Sequence, residues 1–307
     1  MLILHPDPFL LPAYRISPFT TEFVSRNHLL PDADATAYLD KRFGAGRWQI
    51  TRTGREALQL ALDALGLQKE DTVTIFTSSN NFYISSCVTN EISRCCNWSR
   101  ENADSASAVL INHEFGYPDP KLAAVASGNT PLIEDCCTTF FTHTESDQLG
   151  KTGDFSIYSF PKFFPMQLGG LLITNTNRFE AGASSITSEE YQYVMRGLAY
   201  GIAQSDQWLL QRARVWEALK INFSELGFIP RFPETTGVVP SVFLFRTADG
   251  NRKIDYPALK AYYTKHGVQC SVFYGEEAFF LPAHQFLSET DVQYFAAIME
   301  SFLKQSV

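Results

Sequence analysis

The stretch Phe155–Ile173, FSIYSFPKFFPMQLGGLLI, is the part of the sequence from which the fold is best read. Lys162 is its one charged residue, and its neighbours are apolar, small or neutral polar. A lysine is rarely buried unless a partner or a reaction requires it, and removal from water lowers the pKa of its amine. We therefore expect Lys162 to be a shielded, nucleophilic amine. The alternative is an exposed loop lysine, because Pro161 and Pro165 interrupt regular structure.

Composition predicts a globular protein without a nucleic-acid or membrane partner. The 307 residues are 45% hydrophobic, enough for one large domain and a smaller one. The net charge of −8 does not favour a basic nucleic-acid-binding face. The start of the chain, residues 1–14, lacks the basic region of a signal peptide. Residues 155–173 contain two prolines, Lys162 and a Gly-Gly pair, so we do not expect a membrane span.

The cysteines indicate a reducing, cytoplasmic environment and no metal site. Two pairs are vicinal and no CxxC occurs, which favours reduced thiols. Neither Cys95-Cys96 nor His113-Glu114 has the spacing of metal ligands. The six cysteines are Cys87, Cys95, Cys96, Cys136, Cys137 and Cys270.

Short apolar runs alternate with helical patterns through the first two thirds of the chain. This alternation predicts βαβ units and a mostly parallel sheet with helices on both faces. Ligands of such sheets bind at the carboxyl ends of the strands. Strands are predicted at 72–76, 108–112, 131–135, 155–159 and 171–174, and helices at 53–66, 82–92 and 119–126. The strand-end residues of interest are Thr77, His113, Asp135, Ser159 and Lys162.

The remainder of the chain predicts a smaller C-terminal α/β domain. A long helical pattern precedes two strand-and-helix pairs. Its segments are a helical region at 189–226, strands at 238–245 and 268–273, and helices at 257–266 and 289–304. We predict an irregular N-terminal arm at 1–45, a large ligand-binding domain at 46–200, and a helical connection with the small domain at 201–307.

Three groups of residues point to chemistry. Thr53-Gly54-Arg55 begins a helix, where free N–H groups favour a phosphate, although Glu56 at capping-box spacing also fits an ordinary helix cap. Asp135 either caps a turn or holds a protonated ring nitrogen, as pyridoxal phosphate (PLP) requires. Ser159 and Lys162 suit a phosphate and a Schiff base with the cofactor aldehyde. The same S-x-x-K spacing occurs in serine hydrolases, but the flanking prolines argue against that alternative.

Five motifs in the same order resemble the DegT/DnrJ/EryC1/StrS aminotransferases, which are fold-type-I PLP enzymes. The resemblance covers roughly residues 50–305, and Lys162 precedes Gly169-Gly170 as in that family. The other matching segments are Thr53–Leu58 (TGREAL), His113–Gly116 (HEFG), Ile133–Asp135 (IED) and Leu281–Leu287 (LPAHQFL).

The resemblance implies a role for each site residue. Lys162 would form the Schiff base and carry the proton of transamination, and Asp135 would pair with the pyridine nitrogen. Thr53, Gly54, Arg55 and Ser159 would form the phosphate site. Phe82 would stack on the ring, with Asn81 and Tyr83 as alternatives, and Thr138 would lie near the ring hydroxyl.

The function implied is transfer of an amino group from an amino acid, glutamate by analogy, to a nucleotide-linked keto sugar. The resemblance also implies that the enzyme is a cytoplasmic homodimer. The chain departs from the family in three ways. Ser159 and Lys162 are two residues closer together, and the whole chain is shorter than most members. The G-x-N-x-R segment is not recognisable between Gly182 and Gly201, where Arg196 is at best a trace of it. The alternatives are a non-catalytic PLP- or ligand-binding regulator of the same fold, and a fold-type-I enzyme acting on a small amino acid.

Overall fold

The computed structural model describes residues 12–31, 34–101, 105–250 and 252–305. The chain divides into two compact units. The larger comprises Phe19–Ala203 and Thr236–Val239, and the smaller comprises the described residues up to Pro18, Gln204–Thr235 and the chain from Pro240 onward. Every residue proposed above for the cofactor site lies in the larger unit.

A seven-stranded sheet forms the centre of the larger unit. Its spatial order is β1-β7-β6-β5-β4-β2-β3, and β7 alone runs antiparallel to its neighbours. The α/β class with a mostly parallel sheet is therefore confirmed. The strands are β1 (Trp48–Thr51), β2 (Thr72–Thr77), β3 (Asn97–Ser99), β4 (Ala108–Asn112), β5 (Leu132–Asp135), β6 (Phe155–Ser159) and β7 (Gly170–Thr174).

Helices cover both faces of this sheet. On β4, Leu110 packs with the helices α3 and α4, whereas its neighbours Val109 and Ile111 pack with α5. Successive side chains of a strand point to opposite faces, so α5 lies across the sheet from α3 and α4. The helices are α1 (Thr21–Arg26), α2 (Thr36–Phe43), α3 (Gly54–Leu65), α4 (Ser86–Cys95), α5 (Leu122–Ala126) and α6 (Ser188–Ala203).

Several predicted boundaries in the larger unit are wrong. The helix predicted at 82–92 begins at Ser86, after Ser85 caps it, so Phe82 lies in a loop. The helix predicted at 119–126 is limited to α5, and β1 and β3 were not predicted at all. The arm predicted as irregular contains α1 and α2, and its first eleven residues lie outside the described part of the chain.

The Gly169-Gly170 pair brings β7 against the chain that leads into α3. Gly169 has φ +111, a conformation that side chains disfavour, and its N–H donates to the Arg52 carbonyl. A Cβ at Gly170 would collide with the Thr53 carbonyl group and would lie 2.5 Å from Thr51 Oγ1. The pair is therefore needed for close approach of two backbone segments.

The smaller unit has a four-stranded antiparallel sheet in the order β10-β11-β9-β8. The helical region predicted at 189–226 is two helices separated at Gln204, and the strand predicted from 238 begins at Val242. The strand predicted at 268–273 is shorter, and β8 and β11 were not predicted. Its elements are α7 (Ser205–Glu225), β8 (Phe228–Pro230), β9 (Val242–Thr247), α8 (Tyr256–Lys265), β10 (Ser271–Phe273), β11 (Ala278–Pro282) and α9 (Glu289–Gln305).

The LPAHQFL motif is structural within this unit. His284 Nε2 donates to the Arg15 carbonyl, and His284 Nδ1 accepts from the Phe286 N–H. Burial and the nearby Arg212 cation lower the pKa of His284 to about 3, so the ring is neutral. Arg212 in turn donates to Gln285 Oε1 at 2.9 Å. Within the described ranges, no helix has the length and apolar character needed to cross a membrane.

Replacing Gly170 by alanine should destabilise the larger unit by about 3 kcal/mol, because the new methyl group has only backbone and a buried hydroxyl to displace. Gly182→Ala is the matched control, since its Cβ would meet only Leu60 Cδ2 at 3.8 Å. Urea-induced unfolding of both variants measures the difference. Equal stability of the two variants would contradict the close approach described here.

Candidate active site

The candidate site residues follow strands that end at one edge of the sheet. The parallel strands β1, β2, β5 and β6 all end at this carboxyl edge. Thr53–Arg55 follow β1, Phe82 follows β2, Thr138 follows β5, and Lys162 follows β6. Segments distant in sequence thereby meet where open α/β sheets bind their ligands.

The helix start at Thr53–Arg55 has the features of a phosphate site. Thr53 Oγ1 accepts from the Glu56 N–H at 3.1 Å, and the N–H groups of Gly54 and Arg55 begin the helix ahead of it. A Cβ at Gly54 would lie 3.0 Å from Ser159 Cβ, so the helix start packs directly on the end of β6. The Cβ atom of Ser159 therefore lies beside the start of the helix, where free N–H groups favour an anion.

Glu56 does not compete for this helix start. Its Oε2 accepts from the Arg52 N–H and its Oε1 from the Ser185 N–H, both at 2.6 Å. Burial alone would raise the pKa of Glu56, but these donors outweigh it and lower the pKa. The carboxylate thus accepts from residues 52 and 185, while the Thr53 hydroxyl forms the helix cap that the sequence offered as the alternative.

Asp135 is buried, 4% exposed, at the end of β5. Its Oδ2 accepts from Asn112 Nδ2 at 2.6 Å and its Oδ1 from the Cys137 N–H at 3.0 Å. The negative charge of Asp135 also helps to raise the pKa of the Cys137 thiol. A carboxylate has about four acceptor positions, so at least one remains for a further donor such as a protonated ring nitrogen.

Lys162 is exposed, which corrects the expectation that its amine is shielded by the chain itself. It ends a short 3₁₀ turn, Phe160–Lys162. The buried positions around it are taken by Phe160, Phe163 and Phe164, which pack with Phe140 and Phe141. The aromatic side chains of this turn point into the protein, and the Lys162 side chain therefore faces outward.

Cys137 connects the candidate residues and was missed by sequence reasoning. Burial and the charge of Asp135 raise the pKa of its thiol well above the ordinary value, and the nearby Lys162 ammonium acts in the opposite direction. A Cβ at Gly54 would lie 3.2 Å from Cys137 Sγ. One thiol therefore lies near the acid, the lysine and the helix start. The sequence feature that could have identified Cys137 is its position two residues after Asp135.

Phe82 and Thr138 differ in how available they are to a ligand. Phe82 is 66% exposed and Tyr83 is 38% exposed, whereas Asn81 is 6% exposed. Phe82 is thus the most accessible of the three residues considered for ring stacking. The Thr138 hydroxyl donates to the His113 carbonyl at 2.7 Å and accepts from the Gly116 N–H at 3.1 Å. It is held by the HEFG turn, and one acceptor position remains.

The other acid of the IED motif, Glu134, is fully engaged inside the protein. Its Oε1 accepts from the N–H groups of Thr152 and Gly153, and its Oε2 accepts from the Gly150 N–H. His113 Nε2 lies 3.3 Å from the same Oε2. Because the Asp119 N–H donates to His113 Nδ1, the proton of the neutral ring is on Nε2 and points to Glu134.

His113, Glu134 and Cys136 lie close enough together to consider a metal ion, since their donor atoms are all within 4.8 Å of one another. Metal binding would require free lone pairs and a thiolate. Both His113 nitrogens and both Glu134 oxygens are already hydrogen-bonded. Burial raises the pKa of Cys136 well above its ordinary value, which keeps the thiol protonated. The group is a hydrogen-bond network that holds the loop at 150–153.

No family model matches the sequence, and no curated protein matches it. Solved structures match its fold over nearly the whole chain. A DegT DnrJ EryC1 StrS aminotransferase from Brucella abortus matches with TM-score 0.66 and 14% identity, covering 92% of this chain and 93% of that one. The sugar aminotransferase CalS13 from Micromonospora echinospora gives 0.69 and 13%, covering 95% and 100%.

A third similar structure is Spr1654 from Streptococcus pneumoniae in its PLP form. Its TM-score is 0.71 at 13% identity, and the match covers 98% of this chain and 99% of that one. The chain therefore has the fold of the DegT/DnrJ/EryC1/StrS aminotransferases, which is fold type I of the PLP-dependent transferases. The resemblance drawn from the five motifs is confirmed at the level of the fold.

Glu134→Gln should lower the stability at pH 7 by about 3 kcal/mol, because an amide NH₂ would face backbone N–H donors in a buried site. Burial alone would raise the pKa of Glu134, but His113 and the N–H groups of Gly153 and Gly150 lower it below the ordinary 4.5. The carboxylate therefore stabilises the fold above that pH, and the stabilisation is lost as the pH falls.

The measurement is urea-induced unfolding of the wild type and Glu134→Gln between pH 7 and pH 3. The difference in unfolding free energy should shrink as the pH falls. Glu70→Gln, at an exposed position of the same unit, should change stability little at either pH. A difference that is the same throughout the range would refute the role of the ionised carboxylate.

Proposed function

We propose that this protein is a PLP-dependent aminotransferase. The observation that carries the proposal is the convergence of a helix start, a buried acid and a lysine at one carboxyl edge of a fold-type-I sheet. The acid retains an acceptor position, and the helix start packs on Ser159. These features fit three separate parts of the cofactor: its ring nitrogen, its phosphate and its aldehyde.

Each residue has a distinct task in this proposal. Bound PLP supplies an electron sink for charge that develops at the substrate carbon. Asp135 holds the proton of the ring nitrogen, which preserves that property. Thr53, Gly54, Arg55 and Ser159 hold the phosphate by N–H and hydroxyl groups. Lys162 would hold the cofactor at its aldehyde end and would carry a proton at its Nζ.

The position of Cys137 supports this arrangement. The charge of Asp135 raises the pKa of its thiol, and the charge of Lys162 acts in the opposite direction. This electrostatic influence supports a position of Lys162 near the acid, although the lysine is exposed. A bound cofactor and substrate would cover the amine and exclude water, which favours its neutral, nucleophilic form.

The substrates proposed are glutamate as amino donor and a nucleotide-linked keto sugar as acceptor. This part of the proposal rests on the five motifs and on structural neighbours such as CalS13, which is a sugar aminotransferase. By the same analogy we propose a cytoplasmic homodimer. Phe82 is 66% exposed, so its ring is accessible to a small-molecule ligand.

A ligand-binding protein without catalysis is the second candidate. The exposure of Lys162 favours it, because the described part of the chain does not itself shield this amine from water. In that case PLP or a related ligand would bind at the same residues without amino transfer. The two candidates therefore differ in chemistry and not in the location of the site.

Borohydride reduction of the protein with PLP should attach the cofactor to Lys162, as measured by peptide mass spectrometry. Lys162→Ala should abolish this adduct because the amine is lost. Lys151→Ala, at the nearest lysine in the sequence, should retain it. Labelling spread equally over several lysines, or undiminished in Lys162→Ala, would reject the proposed site.

The second measurement separates an enzyme from a binding protein. Added glutamate should convert bound PLP to its amine form, with loss of the visible absorption of the cofactor. A protein that is labelled at Lys162 but leaves the cofactor unchanged with glutamate and with other amino acids would be the binding protein.

A further inference from the structure

The loop Thr77–Tyr83 between β2 and α4 is held by contacts from three other parts of the larger unit. Glu114 Oε2 accepts from the Ser79 N–H at 2.7 Å. Lys121 Nζ donates to Asn80 Oδ1 at 2.8 Å. The loop also includes a positive φ of 61° at Asn80, which such an arrangement can sustain.

Arg100, which follows β3, makes the third and most extensive set of contacts. Its guanidinium donates to the Ile75 carbonyl, to Thr77 Oγ1 at 3.0 Å and to the Asn81 carbonyl. The Thr77 hydroxyl donates to the same Asn81 carbonyl at 3.1 Å. One side chain therefore connects the end of β2 to the far side of the loop, immediately before Phe82.

Holding this position requires a cation to be partly removed from water. Burial lowers the pKa of Arg100, and the charges of Glu114 and Asp119 act against that effect. A guanidinium is the suitable group, because its planar fork can donate to several acceptors at once and it stays charged. Lysine would keep the charge but could not reproduce the fork.

The loop that Arg100 holds displays aromatic side chains and does not bury them. Phe82 is 66% exposed and Tyr83 is 38% exposed, although Asn81 beside them is 6% exposed. Burial of apolar side chains is the usual benefit of ordering a loop, and here Phe82 receives little of it. An ordered loop with an exposed aromatic ring at a ligand-binding edge therefore indicates a positional role.

We propose that Arg100 is a positioning residue, which fixes the loop Thr77–Tyr83 so that Phe82 is presented to the ring of the ligand. The inference rests on the proposed function for the identity of that ring as PLP. Arg100 acts through Phe82 and does not touch the cofactor. Loss of Arg100 should therefore release the loop and remove the stacking contribution of Phe82.

The first test measures amide hydrogen exchange of the chain without PLP. Arg100→Gln should speed exchange in the peptide covering 77–84 at least tenfold and leave 108–112 in β4 unchanged. Arg100→Lys should give an intermediate rate. Arg94→Gln, which removes an exposed arginine of the same unit, should leave the loop as in the wild type.

The second test is a double-mutant cycle on PLP affinity. Arg100→Gln and Phe82→Ala should each weaken PLP binding by roughly three- to tenfold, the range for an aromatic stacking contact. The double variant should be no weaker than Phe82→Ala alone, because both changes remove the same contribution. Arg94→Gln should bind PLP as the wild type does.

The outcomes are distinguishable from failure of the proposed function. Unchanged loop exchange in Arg100→Gln, or affinity losses that add in the double variant, would overturn the role of Arg100. Faster exchange in β4 as well would mean that Arg100→Gln disturbs more than the loop. The exchange and affinity measurements on Arg100→Lys then decide whether Arg100 holds the loop. If the wild type binds no PLP, the proposed function and the link to the cofactor ring fail together, while the exchange data still report whether Arg100 holds the loop.

Discussion

The close approach of β7 to the chain between β1 and α3 is the constraint on which the candidate site depends. Gly170 pairs with Thr51 and with Ser159, so it joins β1 to β6 through a single residue. Because no side chain fits there, the helix start at Gly54 can pack against Ser159. A larger residue at Gly170 would separate the proposed phosphate site from the strand that precedes Lys162.

The sequence predicted those features of the fold that are encoded locally. The strands β2, β4, β5 and β6 each contain closely spaced apolar residues, and α3 has both a Thr cap and apolar periodicity. The strand β1 was missed because it has only four residues and pairs with β7 alone, so its sequence shows little hydrophobic periodicity. The start of α4 was misplaced because the loop before it is held by Arg100, a residue distant in sequence.

In the candidate site, too, features set by the local sequence could be predicted, and features set by contacts distant in sequence could not. The residue types and their order were sufficient to predict the carboxyl edge and the fold. The exposure of Lys162 could not be predicted from its apolar neighbours, because those neighbours are buried against Phe140 and Phe141, and the inward directions are thereby filled. Apolar sequence around a charged residue shows that the segment is buried, but not which way the charge points.

The two acids of the IED motif differ in role although they are neighbours on one strand. Successive side chains of β5 point to opposite faces, so Glu134 and Asp135 cannot share an environment. Glu134 meets the loop at 150–153, where N–H groups and His113 satisfy both of its oxygens. Asp135, the last residue of the strand, meets only the edge, where Asn112 and Cys137 leave it an acceptor position. An acid with all its acceptors filled can hold a fold together, and only the acid with one to spare can bind a proton on a ligand.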